Sequence, residues 1–200
     1  MSLSTSVALR RVSVLVRSPK LRKRALIVAA NSANSLLVPL LSPLFSFLVI
    51  RLASISLWGD FVKVLVVAQL AAHVAGWGNK DYLLREFSRA PAQVAAAWQS
   101  SLFTRLGLFA VAALILAVFG YSPERWALMA ALTLCLVLDQ SYDVFVLYRR
   151  DFLFAFGVEV IGIVLLAVPV LWLRASLTVD GLIALFAFSN LLKPILYGLR

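Results

Sequence analysis

The stretch Trp126–Tyr148 reads WALMAALTLCLVLDQSYDVFVLY, and it decides the fold. Its first half is apolar apart from Thr133, and its only charged side chains are Asp139 and Asp143. A helix needs about 20 mostly apolar residues to cross a hydrocarbon core of about 30 Å, and this stretch is long enough to do so. It therefore predicts a transmembrane helix that carries two acids into the membrane.

Apolar runs of similar length lie on both sides of this stretch. The predicted spans are residues 25–50, 57–77, 93–119, 126–148, 152–173 and 177–199. Backbone polar groups in lipid must be satisfied within the protein, and the runs lack the alternation over about ten residues that a β-barrel shows. We therefore predict an all-α membrane protein, a bundle of about six transmembrane helices that follows a basic segment over residues 1–24.

The overall composition supports a membrane protein and excludes most soluble classes. Of the 200 residues, 62% are apolar and 14% are charged, whereas soluble domains average about 45–50% and about 25%. A globule of this size cannot hide so much apolar surface from water. The net charge of +10 would suggest nucleic acid in a soluble domain. Here the charge is concentrated at the ends of the apolar runs, so we expect no nucleic-acid partner.

The basic residues predict the orientation of the chain in the membrane. With the N-terminus in the cytoplasm, thirteen lysines and arginines fall in the inner segments and three in the outer ones. Such a bias towards the cytoplasmic side is typical of multi-pass proteins. The sequence thus predicts a protein of the inner (plasma) membrane with both termini in the cytoplasm.

Several ionisable side chains fall inside the predicted spans, where each costs several kcal/mol unless it is paired or hydrated. Asp139 and Asp143 are four residues apart and share a helix face. The candidates for substrate binding or coupling in these spans are Arg105, Asp139, Asp143, Glu159 and Lys193.

Counted along the helices, Arg105, Asp143, Glu159 and Lys193 lie at comparable depths and form one charged layer, with Asp139 nearer the midplane. Two interpretations of this layer stay open. One is a hydrated cavity that admits a charged headgroup or couples to protons or sodium ions. The other is a set of interhelical salt bridges that hold the bundle together. For Arg105 and Lys193 we favour the salt bridges. For Asp139 and Asp143 we favour the cavity, because two adjacent acids repel each other and form a candidate cation site.

No sequence motif for catalysis is present. The chain lacks G-x-S-x-G, H-E-x-x-H and the Walker A pattern, and it holds one histidine and one cysteine. We therefore expect no enzyme activity, no cofactor and no metal site.

A polar and aromatic segment follows the second predicted span. As a helix, Asp81–Arg89 places Leu83, Leu84 and Phe87 on one side and its arginines on another. This pattern suits a helix lying at the cytoplasmic headgroups, and it also suits a helical extension of the second span.

Three stretches resemble a known transporter family. They are RLA at Arg51–Ala53, LWGDF at Leu57–Phe61 and GWGNKDYLLREFSR at Gly76–Arg89. Together they are similar to the N-terminal lobe of the polysaccharide-biosynthesis flippases, which belong to the multidrug/oligosaccharidyl-lipid/polysaccharide exporter superfamily. Trp58 stands where these proteins more often have tyrosine.

The resemblance implies a function and a partner. Members of the family have twelve to fourteen helices in two lobes, so this chain corresponds to one six-helix lobe, and it would pair with a second lobe or with its own copy. The implied substrate is a polyprenyl-diphosphate-linked oligosaccharide, flipped across the inner membrane for surface polysaccharide synthesis. Arg85 and Arg105 would contact the diphosphate, and Asp139, Asp143 and Glu159 would line the cavity or couple transport.

Two other classes of function remain as alternatives. One is a small membrane glycosyltransferase or polymerase acting on the same lipid-linked sugars. Such an enzyme needs acidic loops outside the membrane, and the longest loop offers only Asp81 and Glu86. The other is an assembly subunit of the same pathway that does not itself transport.

Overall fold

The computed structural model describes residues 19–118, 120–174 and 176–199. Within these ranges the chain forms seven α-helices, a short 3-10 helix over Pro91–Gln93, and no strand. The α-helices are α1 Pro19–Leu52, α2 Ile55–Gly76, α3 Asn79–Arg89, α4 Val94–Val118, α5 Pro123–Arg149, α6 Phe152–Trp172 and α7 Val179–Gly198. The prediction of an all-α fold is confirmed.

Five of the described helices are long and apolar enough to cross a membrane, namely α2, α4, α5, α6 and α7. Their ends lie within three residues of the predicted spans. The first predicted span, 25–50, falls inside α1, where the described apolar stretch Pro39–Leu52 is shorter than a span. The sixth crossing therefore stays a prediction. Residues 1–18 of the predicted basic segment, and Arg200, lie outside the described residues.

The outer surface of the bundle is strongly apolar. Leucines on different helices are largely exposed, with Leu40 at 64% and Leu114 at 69%. Exposing many such side chains to water would cost about 1.5–3 kcal/mol for each one that could otherwise be buried. A contiguous apolar surface of this kind is matched by lipid rather than by water, and the fold is that of a multi-pass membrane protein.

One end of the bundle is closed by short loops with helix caps. Ser54 accepts from the backbone N–H of Leu57, Ser122 from that of Arg125, and Thr178 from that of Gly181. Each side-chain oxygen satisfies a backbone donor that the first helical turn leaves free. We call this the capped end. The opposite end, which holds α3, the α5–α6 turn and the end of α7, is called the α3 end; it is the end predicted to be cytoplasmic.

Helix α5 is central and contacts α2, α3, α4, α6 and α7. Towards the capped end it packs into a continuous apolar core that includes Phe61, Met129 and Ile183, all fully buried. The one buried polar side chain beside it among the described residues, Thr133, donates its hydroxyl to the carbonyl oxygen of Met129. The interior charged side chains lie instead in the half nearer the α3 end.

Helix α3 is separate from α2. Gly78 between them has a φ of 67°, a left-handed backbone conformation that glycine adopts readily. Leu83 and Phe87 are fully buried and form an apolar cluster with Val144 of α5. The amphipathic pattern of this segment is therefore real, and a separate helix, rather than an uninterrupted extension of α2, lies across the end of the bundle.

Candidate functional site

The predicted layer of charged side chains divides into two centres. In the first, Lys193 of α7 contacts an acid from each of two other helices. Its Nζ lies 3.0 Å from Oε1 of Glu159 in α6 and 3.7 Å from Oδ2 of Asp139 in α5. The three side chains are only 13–19% exposed. We call them the lysine triad, and their geometry is that of an interhelical salt bridge.

A close approach between α6 and α7 positions the lysine triad. Ser189 donates a hydrogen bond of 2.9 Å to the carbonyl oxygen of Gly162. A Cβ atom at Gly162 would lie 3.3 Å from the Ser189 hydroxyl oxygen and 3.4 Å from Cε of Lys193. The absence of a side chain at Gly162 thus lets the lysine stem lie against α6, one helical turn from Glu159.

The second centre is built on Arg105 of α4, which is 4% exposed. Its Nη1 donates to the Ser141 hydroxyl at 2.6 Å, and its Nη2 donates to Oε1 of Gln140 at 3.1 Å. Both acceptors are neutral, and none of the ion pairs among the described residues includes Arg105. In that same part of the chain, Nε of Arg105 is the single buried side-chain nitrogen or oxygen without a hydrogen-bond partner. We call Arg105, Gln140 and Ser141 the arginine centre.

Neighbouring backbone and side chains hold the arginine centre in place. The Ser141 hydroxyl donates to the carbonyl oxygen of Val137, and the Ser141 carbonyl oxygen accepts from Nε1 of Trp98. Gly76 of α2 faces the guanidinium, and a Cβ atom there would lie 2.6 Å from Nη2 of Arg105. Only glycine at position 76 leaves room for the guanidinium as it stands.

Arg105 forms part of the wall of a cavity of about 930 Å³ between α2, α4, α5 and the start of α3. We call it the arginine cavity. Its polar lining residues are Gln69, His73, Lys80, Arg105, Gln140 and Asp143. Asp143 is exposed and lies in the electrostatic field of Lys80, of Glu159 and Lys193 in the lysine triad, and of Arg105. Asp139 and Asp143, predicted to act as a pair, make different contacts, since Asp143 lines the cavity and Asp139 contacts Lys193, while their charges still act on each other.

A second cavity of about 520 Å³ opens at the α3 end between α4, α5, α6 and α7. Five aromatic side chains line it: Trp98, Tyr142, Phe145, Phe154 and Tyr197. Their rings contact one another, with Tyr142 and Tyr197 stacked at 6.1 Å between centroids and Trp98 at 5.3 Å from Tyr142. We call it the aromatic pocket.

One predicted site residue belongs neither to the lysine triad nor to the two cavities. Arg85 is on the exposed side of α3 and lines neither of them. Conversely, sequence reasoning missed Gly76 and Trp98 and counted Lys80 only as a topology charge. The polar run of residues 139–143 was a signal for Gln140 and Ser141, whereas the role of Gly76 depends on how closely α2 approaches α4 and has no signature in the sequence.

Fold and site together define a multi-pass α-helical membrane protein with two polar centres in its interior. Comparisons of this chain with protein-family models, with curated proteins and with solved structures find no match. A more specific function therefore rests on the site itself.

Proposed function

We propose that this chain is one lobe of a membrane transporter that flips a polyprenyl-diphosphate-linked oligosaccharide across the inner membrane for surface polysaccharide synthesis. The diphosphate binds in the arginine cavity, and transport requires a second six-helix lobe or a second copy of the chain. The observation that carries this proposal is a buried guanidinium that faces a cavity and has no acid paired with it.

A buried charge without a counter-ion costs several kcal/mol, so an unpaired arginine in a membrane interior calls for an anionic partner. Guanidinium matches phosphate well because its planar donors form two parallel hydrogen bonds to phosphate oxygens. In Arg105 the two Nη atoms are held by neutral acceptors, and Nε is left over. A phosphate in the cavity would add negative charge beside the guanidinium, with which Asp143, the carboxylate in the cavity lining, forms no ion pair.

Other features of the arginine cavity also favour an anion. Lys80 lines it and adds a second positive charge. Helix α3 begins at this cavity, since Gly78 and Lys80 both line it, and a helix N-terminus carries a partial positive charge. A volume of about 930 Å³ lies at the upper end of the range of about 300–1,000 Å³ for small-molecule sites. The cavity thus has room for a headgroup while the lipid tail stays in the bilayer.

Binding to lipids with and without the diphosphate tests the anion site. The chain is placed in lipid nanodiscs and its affinity for a polyprenyl diphosphate and for the corresponding polyprenyl alcohol is measured by native mass spectrometry. We expect the diphosphate to bind at least tenfold more tightly, and Arg105→Gln to remove about 1.5–3 kcal/mol of that preference, as for a hydrogen bond to a charged group. Arg125→Gln, which alters an arginine at the capped end, is the matched control and should leave the preference unchanged.

Transport is then tested in proteoliposomes with a fluorescent polyprenyl-diphosphate disaccharide whose outer-leaflet fraction is quenched by a membrane-impermeant reductant. We expect flipping of an unaltered lipid, which Arg105→Gln abolishes and Arg105→Lys restores in part. Equal binding of diphosphate and alcohol would contradict the anion site. A chemically altered lipid-linked sugar would instead support an enzyme of the same pathway.

A further inference from the structure

The aromatic pocket at the α3 end shares no lining residue with the arginine cavity, and the function proposed above assigns it no role. We infer that it is a carbohydrate-binding site, in which a pyranose ring lies against the aromatic side chains of α4, α5, α6 and α7. The pocket itself stands on its own geometry. Only the identification of its natural ligand as the sugar part of a lipid-linked oligosaccharide rests on the proposed function.

The walls of the pocket suit a pyranose because they combine several ring faces in one concave space. A pyranose presents a face of C–H bonds, whose partial positive charge is attracted to the negative face of an aromatic ring. Trp98, Tyr142 and Tyr197 contribute rings from three different helices, and each is half-buried. A sugar can therefore stack on one ring while another covers its edge.

The rim of the pocket supplies polar groups that match sugar hydroxyls. Gln99, Arg149 and Asp151 line it, together with the tyrosine hydroxyls. Amide, guanidinium and carboxylate groups are planar and offer donors or acceptors in pairs, which neighbouring hydroxyls can engage at the same time. Apolar walls with a few convergent polar groups are typical of small-molecule sites, and about 520 Å³ lies within their usual size.

A quaternary ammonium ligand would also fit an aromatic cage, but a basic side chain already lies over one ring of this pocket. The guanidinium of Arg149 lies 5.4 Å from the centroid of the Phe145 ring and lines the pocket. The cation–π position on that ring is thus already taken by a positive side chain, which would repel a cationic ligand.

These aromatic residues differ from the tryptophans and tyrosines that anchor membrane proteins at the headgroups. Trp77 and Trp172 are 87% and 86% exposed, as anchoring residues are. Trp98 is instead half-buried, and its Nε1 donates to the carbonyl oxygen of Ser141. Since the Ser141 hydroxyl accepts from Arg105, Ser141 links a ring of the aromatic pocket to the guanidinium, although it lines neither cavity itself. A ligand in the pocket would contact the residues that position the guanidinium.

The test places the chain in lipid nanodiscs and adds a panel of free hexoses, N-acetylhexosamines and their disaccharides. Saturation-transfer difference NMR measures which sugars bind. We expect at least one sugar to receive saturation on the C–H protons of one pyranose face. Trp98→Ala should weaken its binding about three- to tenfold, as for the loss of one ring contact. Tyr197→Phe keeps the ring and removes one hydroxyl, so it tests the site even if Trp98→Ala fails to fold, with a similar loss expected.

Two matched variants separate this proposal from the preceding one. Trp172→Ala removes an exposed tryptophan at the capped end and should leave sugar binding unchanged. Arg105→Gln should abolish the diphosphate preference and keep the binding of free sugars. Three outcomes would overturn the carbohydrate site: no sugar in the panel receives saturation, choline binds in place of sugars, or Trp172→Ala weakens sugar binding as much as Trp98→Ala does. None of these outcomes would bear on the arginine cavity.

Discussion

The lysine triad and the arginine centre both place charged groups inside the bundle, yet they are built differently. Lys193 contacts two carboxylates from two other helices. Arg105 is bonded to a serine and a glutamine of one helix and faces a cavity. The triad supplies its own counter-charges, whereas the arginine centre leaves one to be supplied from outside.

This difference separates a structural role from a binding role. A charge that is neutralised within the chain stabilises one arrangement of helices, since removing either partner leaves an uncompensated charge. A charge that the chain leaves unpaired is costly in the absence of a ligand and favourable in its presence. The two centres should therefore respond in opposite ways to mutation, with stability lost at the triad and ligand binding lost at the arginine centre.

The largest effect on stability is expected from Lys193→Met, which keeps the length of the side chain and removes its charge. Glu159 and Asp139 would then be buried without a counter-charge, which costs about 3–5 kcal/mol in the free energy of unfolding. Unfolding of the chain in mixed lipid–detergent micelles by a denaturing detergent measures this loss. Adding Glu159→Gln and Asp139→Asn to the same variant should recover most of it, because no unpaired charge remains.

The matched control for this experiment is Lys63→Met. Lys63 also pairs with an acid, Asp60, at 2.8 Å, but both side chains are more than half exposed. Its loss should leave the unfolding transition where it is, because exposed pairs contribute little. Equal destabilisation by the two lysine variants would show that burial of the triad does not govern its contribution.

A smaller effect, on binding rather than stability, is expected from Gly76→Ala. The added Cβ would lie 2.6 Å from Nη2 of Arg105 and 2.9 Å from Oε1 of Gln140, so the guanidinium must move away from its position in the cavity wall. We expect affinity for a polyprenyl diphosphate to fall about tenfold, or about 1.4 kcal/mol. Native mass spectrometry in nanodiscs measures the change.

Gly107→Ala is the control, because a Cβ at that position of α4 meets nothing within 4 Å. It should leave diphosphate binding unchanged. An unaltered affinity in Gly76→Ala would mean that the position of the guanidinium does not determine binding, and it would remove the main support for the arginine cavity as the anion site.

The helices were predictable from the sequence because their cause is local. Each span is a continuous apolar run, and the ends of α2 and α4 to α7 lie within three residues of the prediction. The boundary between α2 and α3 was less evident, because two alternatives fitted the segment Asp81–Arg89. The structure decides between them through the turn at Gly78, whose φ of 67° is a property of the folded backbone.

The candidate site was predictable only in part. Depth along each helix predicted one layer of Arg105, Asp143, Glu159 and Lys193, with Asp139 nearer the midplane, because the rise per residue is constant. In the structure Lys193 contacts Glu159 of that layer and also the deeper Asp139. The rotation of each helix against its neighbours is set by packing. It brings Lys193 against Asp139, and among the described residues it leaves Arg105 without an ion pair. The triad supports the salt-bridge interpretation for Lys193, but Arg105, for which the same was expected, has no such bridge among the described residues.

The smallest of the predicted effects on diphosphate affinity concerns Asp143, one of the two acids of α5. Asp143 lines the arginine cavity beside Lys80 and Arg105, so its negative charge opposes an anionic ligand. Asp143→Asn should therefore strengthen diphosphate binding about fivefold, or by about 1 kcal/mol, as for two charges about 4 Å apart in a water-filled cavity, and less at high salt. Titration of nanodisc-embedded protein with a polyprenyl diphosphate at two salt concentrations measures it.

Asp139→Asn is the matched variant, since the same substitution is made one helical turn away in the lysine triad. It should weaken the folded state and leave diphosphate affinity unchanged, because that carboxylate lies outside the cavity lining. If the two variants behaved alike, the acids would act as the single pair that their spacing suggests, and the division into two centres would fail. If only Asp143→Asn altered binding, and if it raised the affinity, the arginine cavity would hold an anion against the repulsion of its own carboxylate. That repulsion would help the cavity to release the anion again.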